Sequence, residues 1–446
     1  MLSRTDVRPR GLIVLGALLL SACLDPIPPN TVTKPGQGSV AGTVTHLCTR
    51  APMAGVLVTP RPMDNGAPGE PGQATQTDAA GGYRLEGLGQ GTWQLMFSMT
   101  GFQSVEQTVV VRGGQEEQAE LTLAPVPSQL PKEAELDVLF VVDNSNSMSE
   151  EQLRLAQAFP RFMNALLLYG FTLDARIGVI STDLGAGNYG LPSCEDTGGD
   201  GGVLQSNPKV AGCSPPTDPY ISLVGTTTNV PDDMVNDAFG CIVQLGTGGC
   251  GFEQPLGAVL RAVDGKSNPG FPRKSSVLAV VVISDEDDCT AVDEKLYDSN
   301  QSSLEDPLGP LTSFRCFEFG VTCDINDRTK AGPRADCKPT KGGYLLDVDD
   351  FVSQLTKDRT KDRVFFSVIA GPASKVEVGM DGGNPVLRPS CQTSSTSAAP
   401  AIRLQAVVDQ LPQSSFDTIC IGDLGAALAN VARQIAEKTI FTPCAQ

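Results

Sequence analysis

The architecture of the larger part of the chain is read from residues 136–147, Leu136-Asp137-Val138-Leu139-Phe140-Val141-Val142-Asp143-Asn144-Ser145-Asn146-Ser147. An almost unbroken apolar run of this length fits a strand buried on both faces, and it stops abruptly at a polar loop. Ser149-Glu150-Glu151-Gln152 then reads as a capping box, and Leu153, Ala156, Phe159, Met163 and Leu166 as the buried stripe of a helix that Pro160 should kink or interrupt. The alternation continues. Strands are expected at 175–181, 276–283, 363–370 and 416–421, with helices at 255–263, 349–357, 401–411 and 424–438. Such a series predicts a mostly parallel sheet with helices on both faces, which binds ligands at the carboxyl ends of its strands.

A second apolar strand, Val277-Leu278-Ala279-Val280-Val281-Val282-Ile283, ends in Ser284-Asp285. Asp143-x-Ser145-x-Ser147 at one strand end and Asp285 at another resemble the metal-ion-dependent adhesion site of the von Willebrand factor A domain, over roughly residues 136–440. The resemblance implies a Rossmann-like α/β fold. It also implies a divalent cation held directly by Ser145 and Ser147, with Asp143 and Asp285 binding directly or through water, and an open position for a carboxylate on a protein partner. Hydroxyls and carboxylates without imidazole or thiolate suit Mg²⁺ first, with Ca²⁺ or Mn²⁺ as alternatives. The third arm departs from the family. Where its pattern wants Thr, Gly251-Phe252-Glu253-Gln254-Pro255 offers Gln254 or, with a one-residue slip, Glu253. A Glu there would add charge and weaken the ion's pull on an incoming carboxylate. Glu286, Asp287 and Asp288 follow Asp285 directly and could attract a second cation.

Residues 39–124 have a different texture: short alternating strands separated by Gly, Pro and Asn/Asp turns. Thr77-Asp78-Ala79-Ala80-Gly81-Gly82-Tyr83-Arg84-Leu85, with Gly91-Thr92-Trp93 and Gly101-Phe102, resembles the carboxypeptidase regulatory-like domain, a transthyretin-like β-sandwich. Asp78 and the glycines should make tight turns, and Tyr83, Leu85, Trp93 and Leu95 should fill the core. The fold class is therefore a small all-β sandwich followed by an α/β domain at 136–446, joined by a linker at 125–135.

The N-terminus reads as an address. Arg4, Arg8 and Arg10 precede the apolar run Gly11–Leu20, which is too short to cross a bilayer. Leu20-Ser21-Ala22-Cys23 resembles a bacterial lipobox, implying a signal peptide at 1–22 and lipidation of Cys23, followed by a Pro-rich tether to residue 38. Cleavage there removes three Arg and one Asp, taking the net charge from −18 to −20. Such acidity, without a basic run, excludes nucleic acid as a partner.

Other exclusions come from single residue types. The one His, at position 46, rules out a polyhistidine zinc centre. An enzyme would have to work through Ser145 or Asp285 without imidazole, so a non-enzymatic chain is expected. Setting Cys23 aside leaves 12 Cys with no C-x-x-C, an exported disulfide framework of up to six bridges whose pairing the spacing leaves open. Cys48 alone lies outside the larger domain, so it either bridges the domains or leaves a free thiol on each side. Gly265-Lys266-Ser267 lacks the Gly a phosphate loop needs at position 260, where Leu stands, so no nucleotide site is expected. Asp324-Ile325-Asn326-Asp327 reads as a turn.

The expected protein is a lipid-anchored bacterial envelope module, periplasmic or at the cell surface, that binds a protein ligand through its metal. The alternative is carbohydrate or cell-wall binding by the sandwich, or a structural envelope component with an inactive metal site.

Overall fold

The computed structural model describes residues 36–437 apart from 47–50, 65–66, 69–71, 124–132, 168–171, 192–193 and 195–196. The signal sequence, Cys23, the tether, Cys48, Cys444 and most of the linker lie outside these residues. The chain forms two compact units, residues 1–126 and 127–446. Among the described residues no helix is long and apolar enough to cross a membrane.

In the smaller unit, β1 (Gln37–His46) runs antiparallel to β3 (Gly82–Gly89) and parallel to the short β6 (Glu116–Gln118) and β7 (Leu121–Leu123). A second sheet joins β2 (Leu57–Asp64), β4 (Gly91–Ser98) and β5 (Val105–Val111) in antiparallel order. Val40, Tyr83 and Leu85 from the first sheet meet Val58, Leu95 and Phe97 from the second in one buried core. Period-two alternation produces this directly: Leu95 and Phe97 turn inward while Gln94 and Met96 stay at least partly exposed. Trp93 packs against the same core. The turn at Asp78 closes as expected, with the amides of Ala80 and Gly82 both donating to Asp78 Oδ1 at 2.8 Å.

The larger unit is built on seven strands. In chain order they are β8 (Glu133–Val142), β9 (Thr172–Ser181), β10 (Ile221–Val224), β11 (Thr227–Thr228), β12 (Val277–Ile283), β13 (Val364–Ala370) and β16 (Ser414–Thr418), with a separate hairpin of β14 (Val376–Asp381) and β15 (Asn384–Leu387). Their order in the sheet is β11-β10-β9-β8-β12-β13-β16, and only β10 and β11 are antiparallel to their neighbours. Helices α1 (Ser149–Leu167), α2 (Val235–Val243) and α7 (Leu424–Ile435) cover one face, and α3 (Pro255–Ala262), α5 (Val348–Leu355) and α6 (Ile402–Gln410) the other. A short α4 (Phe314–Gly320) lies in the loop after β12. Strand β8 feeds both layers, Phe140 and Val142 into the first and Leu139 and Val141 into the second. This is the predicted Rossmann-like α/β architecture after a β-sandwich.

Three local expectations are corrected. Helix α1 runs unbroken through Pro160. Proline removes one backbone donor, and the burial of Leu155, Phe159, Phe162 and Leu166 on both sides of it holds the helix together. The stripe also begins on a different residue, because Leu153 is 46% exposed and Leu155 takes the core position. Gln152 does not serve as half of a capping box. Its amide donates to the carbonyls of Asp143 and Gly246 and accepts from the Gly246 amide, stitching two loops together.

The cysteines pair as Cys194–Cys250, Cys213–Cys241, Cys289–Cys316, Cys323–Cys337 and Cys391–Cys420. Four of these five pin the long loops that follow β9 and β12. The second loop is also nailed down by Arg315, 1% exposed, which donates to the carbonyls of Leu296, Asp298, Gln301, Gly309 and Pro310. Asp324–Asp327 is an irregular loop that bends at Asp324, with Asn326 Oδ1 accepting from the Cys323 amide.

Candidate functional site

Strand order reverses between β8 and β12. The connections from β8 lead outward through β9 and β10, those from β12 through β13 and β16, so the two loops part and leave a crevice at their carboxyl ends. Asp143 and Asp285 stand on either side of it. The Asp143 amide still donates to Ile283 O at 3.0 Å, the last rung between the strands.

Asp143 is fully buried. One of its oxygens accepts from the Ser145 amide at 2.8 Å and the other from the Ser284 hydroxyl at 2.7 Å. The chain then turns through Asn146–Met148, placing the Ser145 and Ser147 hydroxyls 3.1 Å apart. The Ser147 hydroxyl lies near enough to the Asp285 carboxylate to lower its pKa, though less than burial raises it. The structure thus brings Asp143, Ser145, Ser147 and Asp285 together.

Of the two candidates for the third arm, Glu253 faces Asp143. It is fully buried, and its carboxylate lies close enough to that of Asp143 for their charges to interact. Thr182, just past the end of β9, donates its hydroxyl to Glu253 Oε2. Gln254 turns elsewhere: its amide donates to Gly185 O at 2.7 Å and accepts from Ala291 N at 3.3 Å.

The electrostatics of this crevice are unfavourable to its own side chains. Burial, then the charge of Asp143, raises the pKa of Glu253 well above the ordinary carboxylate range. Burial likewise raises Asp143, against the hydrogen bonds of Ser284 and Ser145. Asp285 is pushed up to about 7 by burial and then by Asp143. Glu286 is pushed up to about 8 by burial and the charges of Asp143 and Asp285. Two buried oxygens, Glu253 Oε1 and Asp285 Oδ1, have no hydrogen-bond partner. Unpartnered buried carboxylate oxygens are rare and costly, and a bound cation is one of the few things that satisfies them. The donor set of hydroxyls and carboxylates fits a hard divalent ion. Among the described residues no three His, Cys, Asp or Glu side chains are grouped as around one ion. A cation here would therefore draw on serine hydroxyls as well as carboxylates.

The acidic run after Asp285 does not gather around a common point. Asp287 caps α6, accepting from the amides of Arg403 at 2.9 Å and Leu404 at 3.1 Å, and burial pushes its pKa up to about 6 against these contacts. Asp288 pairs with the buried Arg403 at 3.0 Å and accepts from the Leu256 amide and the Thr290 hydroxyl. For Asp287 and Asp288 the protein itself supplies the positive partners expected of a second cation; for Glu286 only the side chain of Ser313 acts against the rise in its pKa.

Sequence reading missed Thr182, Ser284 and Glu151. The first two flank strand ends at the switch point, a placement that would have marked them. Glu151 is 2% exposed, accepts from the Thr396 hydroxyl at 2.7 Å and leaves Oε2 unpartnered. Its place in the sequence, within a capping-box stretch, points only to a helix cap.

Residues 39–124 match the family model of the carboxypeptidase regulatory-like domain. No curated protein matches the chain. Among solved structures, the Streptococcal ancillary pilin is similar at 13% identity and TM-score 0.18, covering 21% of this chain and 33% of its own. GBS52, the minor pilin of Streptococcus agalactiae, is similar at 20% identity and TM-score 0.17, over 21% of this chain and 46% of its own. The 3-chlorocatechol 1,2-dioxygenase of Rhodococcus opacus is similar at 13% identity and TM-score 0.18, over 21% and 62%. This chain spans less than two thirds of each, and no functional conclusion is taken from likeness at that level.

Proposed function

We propose that the chain is an exported, lipid-anchored envelope protein whose larger unit is a von Willebrand factor A-like binding module, non-enzymatic and dependent on a divalent cation. Asp143, Ser145, Ser147 and Glu253 would hold the ion, with Asp285 reaching it directly or through Ser147 and water. Mg²⁺ or Ca²⁺ would supply positive charge to a crevice that has none of its own among the described residues, and would fix the geometry of the loops that leave it. The observation that carries this reading is the proximity of two fully buried carboxylates, Asp143 and Glu253, with Glu253 Oε1 left without a hydrogen-bond partner. The disulfide-pinned loops after β9 and β12 provide a rigid surface for a protein partner. The smaller unit acts as a spacer. Its Trp93 is partly buried and packs against the core, which does not favour carbohydrate stacking.

Calorimetric titration of Mg²⁺ and of Ca²⁺ into the EDTA-treated full chain tests the reading. Saturable heat that disappears in Asp143→Ala is expected. No heat in the unsubstituted protein would leave a structural envelope component with an inactive site.

A further inference from the structure

We infer that the cavity beside Glu286 receives a basic side chain, Lys or Arg, of a protein partner. The cavity lies outside the crevice, since none of Asp143, Ser145, Ser147 or Glu253 lines it, and its use requires no metal ion.

The cavity has a volume of about 160 Å³, against the roughly 10–15 Å³ that a single water needs, so it has room for more than solvent. Its walls come from segments far apart in sequence: Phe314 and Phe317 of α4, Val386 and Leu387 of β15, and Pro400 ahead of α6. Each segment is anchored. The Cys289–Cys316 bridge holds α4, antiparallel pairing with β14 holds β15, and the Ala399 amide donates to Asp285 O at 2.8 Å. The site is therefore formed before anything enters it, which lowers the cost of binding.

Its chemistry selects the occupant. Glu286 and Asp287 both line it, and among the described residues no Lys or Arg does. Asp287 is spent on the amides of Arg403 and Leu404. Glu286 is held by its backbone, whose amide donates to Ser284 Oγ at 3.0 Å, and only the Ser313 side chain offsets the burial of its carboxylate. A carboxylate taken out of water without a counter-charge draws a cation. A bare metal ion would want about six oxygens around it, whereas most of this wall is apolar or aromatic. The Phe314 and Phe317 rings, with centroids 5.6 Å apart, are the kind of surface that attracts an organic cation. Val386, Leu387 and Pro400 suit the aliphatic stem of Lys or Arg, which seeks apolar cover while its head keeps a charged partner. The net charge of the chain, −18, favours the approach of a basic partner.

Saturation-transfer difference NMR on the full chain in EDTA tests this, with N-acetyl-lysine amide, N-acetyl-arginine amide and the neutral N-acetyl-norleucine amide as probes. At least one basic probe should receive saturation along its methylenes, and the norleucine probe should bind at least about tenfold more weakly, the loss expected when a hydrogen bond to a charged group goes. Glu286→Gln should weaken the basic probe by a similar factor. Val386→Trp, which fills the cavity from β15 and leaves every carboxylate in place, should abolish its signal. Equal binding of the norleucine probe would overturn the inference, as would failure of both basic probes to bind the unsubstituted protein, and neither arm needs a variant to fold. A signal kept in Val386→Trp and lost in Asp143→Ala would put the basic group in the crevice and overturn it as well. Because every arm is run in EDTA, failure of the metal titration above would leave these outcomes readable.

Discussion

Two groups of buried or partly buried carboxylates sit beside each other at the end of β12 and are neutralised in opposite ways. Asp287 and Asp288 are answered from within the chain, by the Arg403 guanidinium, by the first amides of α6 and by the Leu256 amide. Asp143, Glu253 and Asp285 are answered only by hydroxyls and one amide, and two of their oxygens have no partner. Asp288 is as deeply buried as Asp143 and Glu253, so desolvation alone does not separate the groups; the presence of an internal cation does. A fold that places an arginine beside one acidic pair and, among the described residues, none beside the other group leaves the second for a charge from outside. That contrast, more than the motif, is the argument for a metal.

The contrast is broken most severely by removing the internal cation. Arg403→Met leaves Asp288, fully buried, without its counter-charge, and also removes the hydrogen bond to Leu346 O. Losing one member of a buried pair costs about 3–5 kcal/mol. Chemical denaturation should show a loss of that order, and Ca²⁺ or Mg²⁺ should not restore it, because Asp288 points away from the crevice toward α3 and α6. Recovery by divalent ions would mean that the two groups form one site.

The opposite manipulation adds the missing cation. A ligand that binds only the folded state stabilises it by about 2.7 kcal/mol at a hundred times its dissociation constant. Denaturation midpoints measured in EDTA and in saturating Ca²⁺ should therefore differ by roughly that free energy in the unsubstituted protein. In Asp143→Ala the difference should vanish. Equal midpoints in the unsubstituted protein would show the unpartnered oxygens to be tolerated without an ion.

How much of this was legible beforehand follows from the range of each interaction. The strands 136–142 and 277–283 declare themselves through contiguous apolar residues, and the three residues of the D-x-S-x-S motif lie within five positions, so the first two arms could be placed without coordinates. Glu253 and Gln254 could not be told apart, because which one faces Asp143 depends on how the loop is anchored to Thr182 and Cys289, far away in sequence. The five disulfide pairs were closed to spacing arguments for the same reason. Helix α2, with Gly240 and β-branched residues in its nine positions, forms because Ala238, Phe239 and Ile242 are buried against the core and not because its propensity favours it. The acidic run 286–288 misled reading most. Four consecutive carboxylates suggest a cation when Arg403, 115 residues beyond Asp288, is out of view.

The smallest effect sharpens the boundary between the two groups. Asp287 accepts from the Arg403 and Leu404 amides, the role of an N-cap side chain, although it reaches α6 from a different part of the chain. Asp287→Ala should cost about 1 kcal/mol, the usual loss of a cap, measured by denaturant unfolding. Divalent-ion affinity should stay within a factor of two of the unsubstituted value, because the carboxylate is spent on α6. Asp287 follows Asp285 by only two positions, so its indifference to the ion would show that the division falls between Asp285 and Asp287. A marked loss of affinity in Asp287→Ala would place α6 and its acidic cap within the metal site, and would require the crevice to be redrawn around both groups.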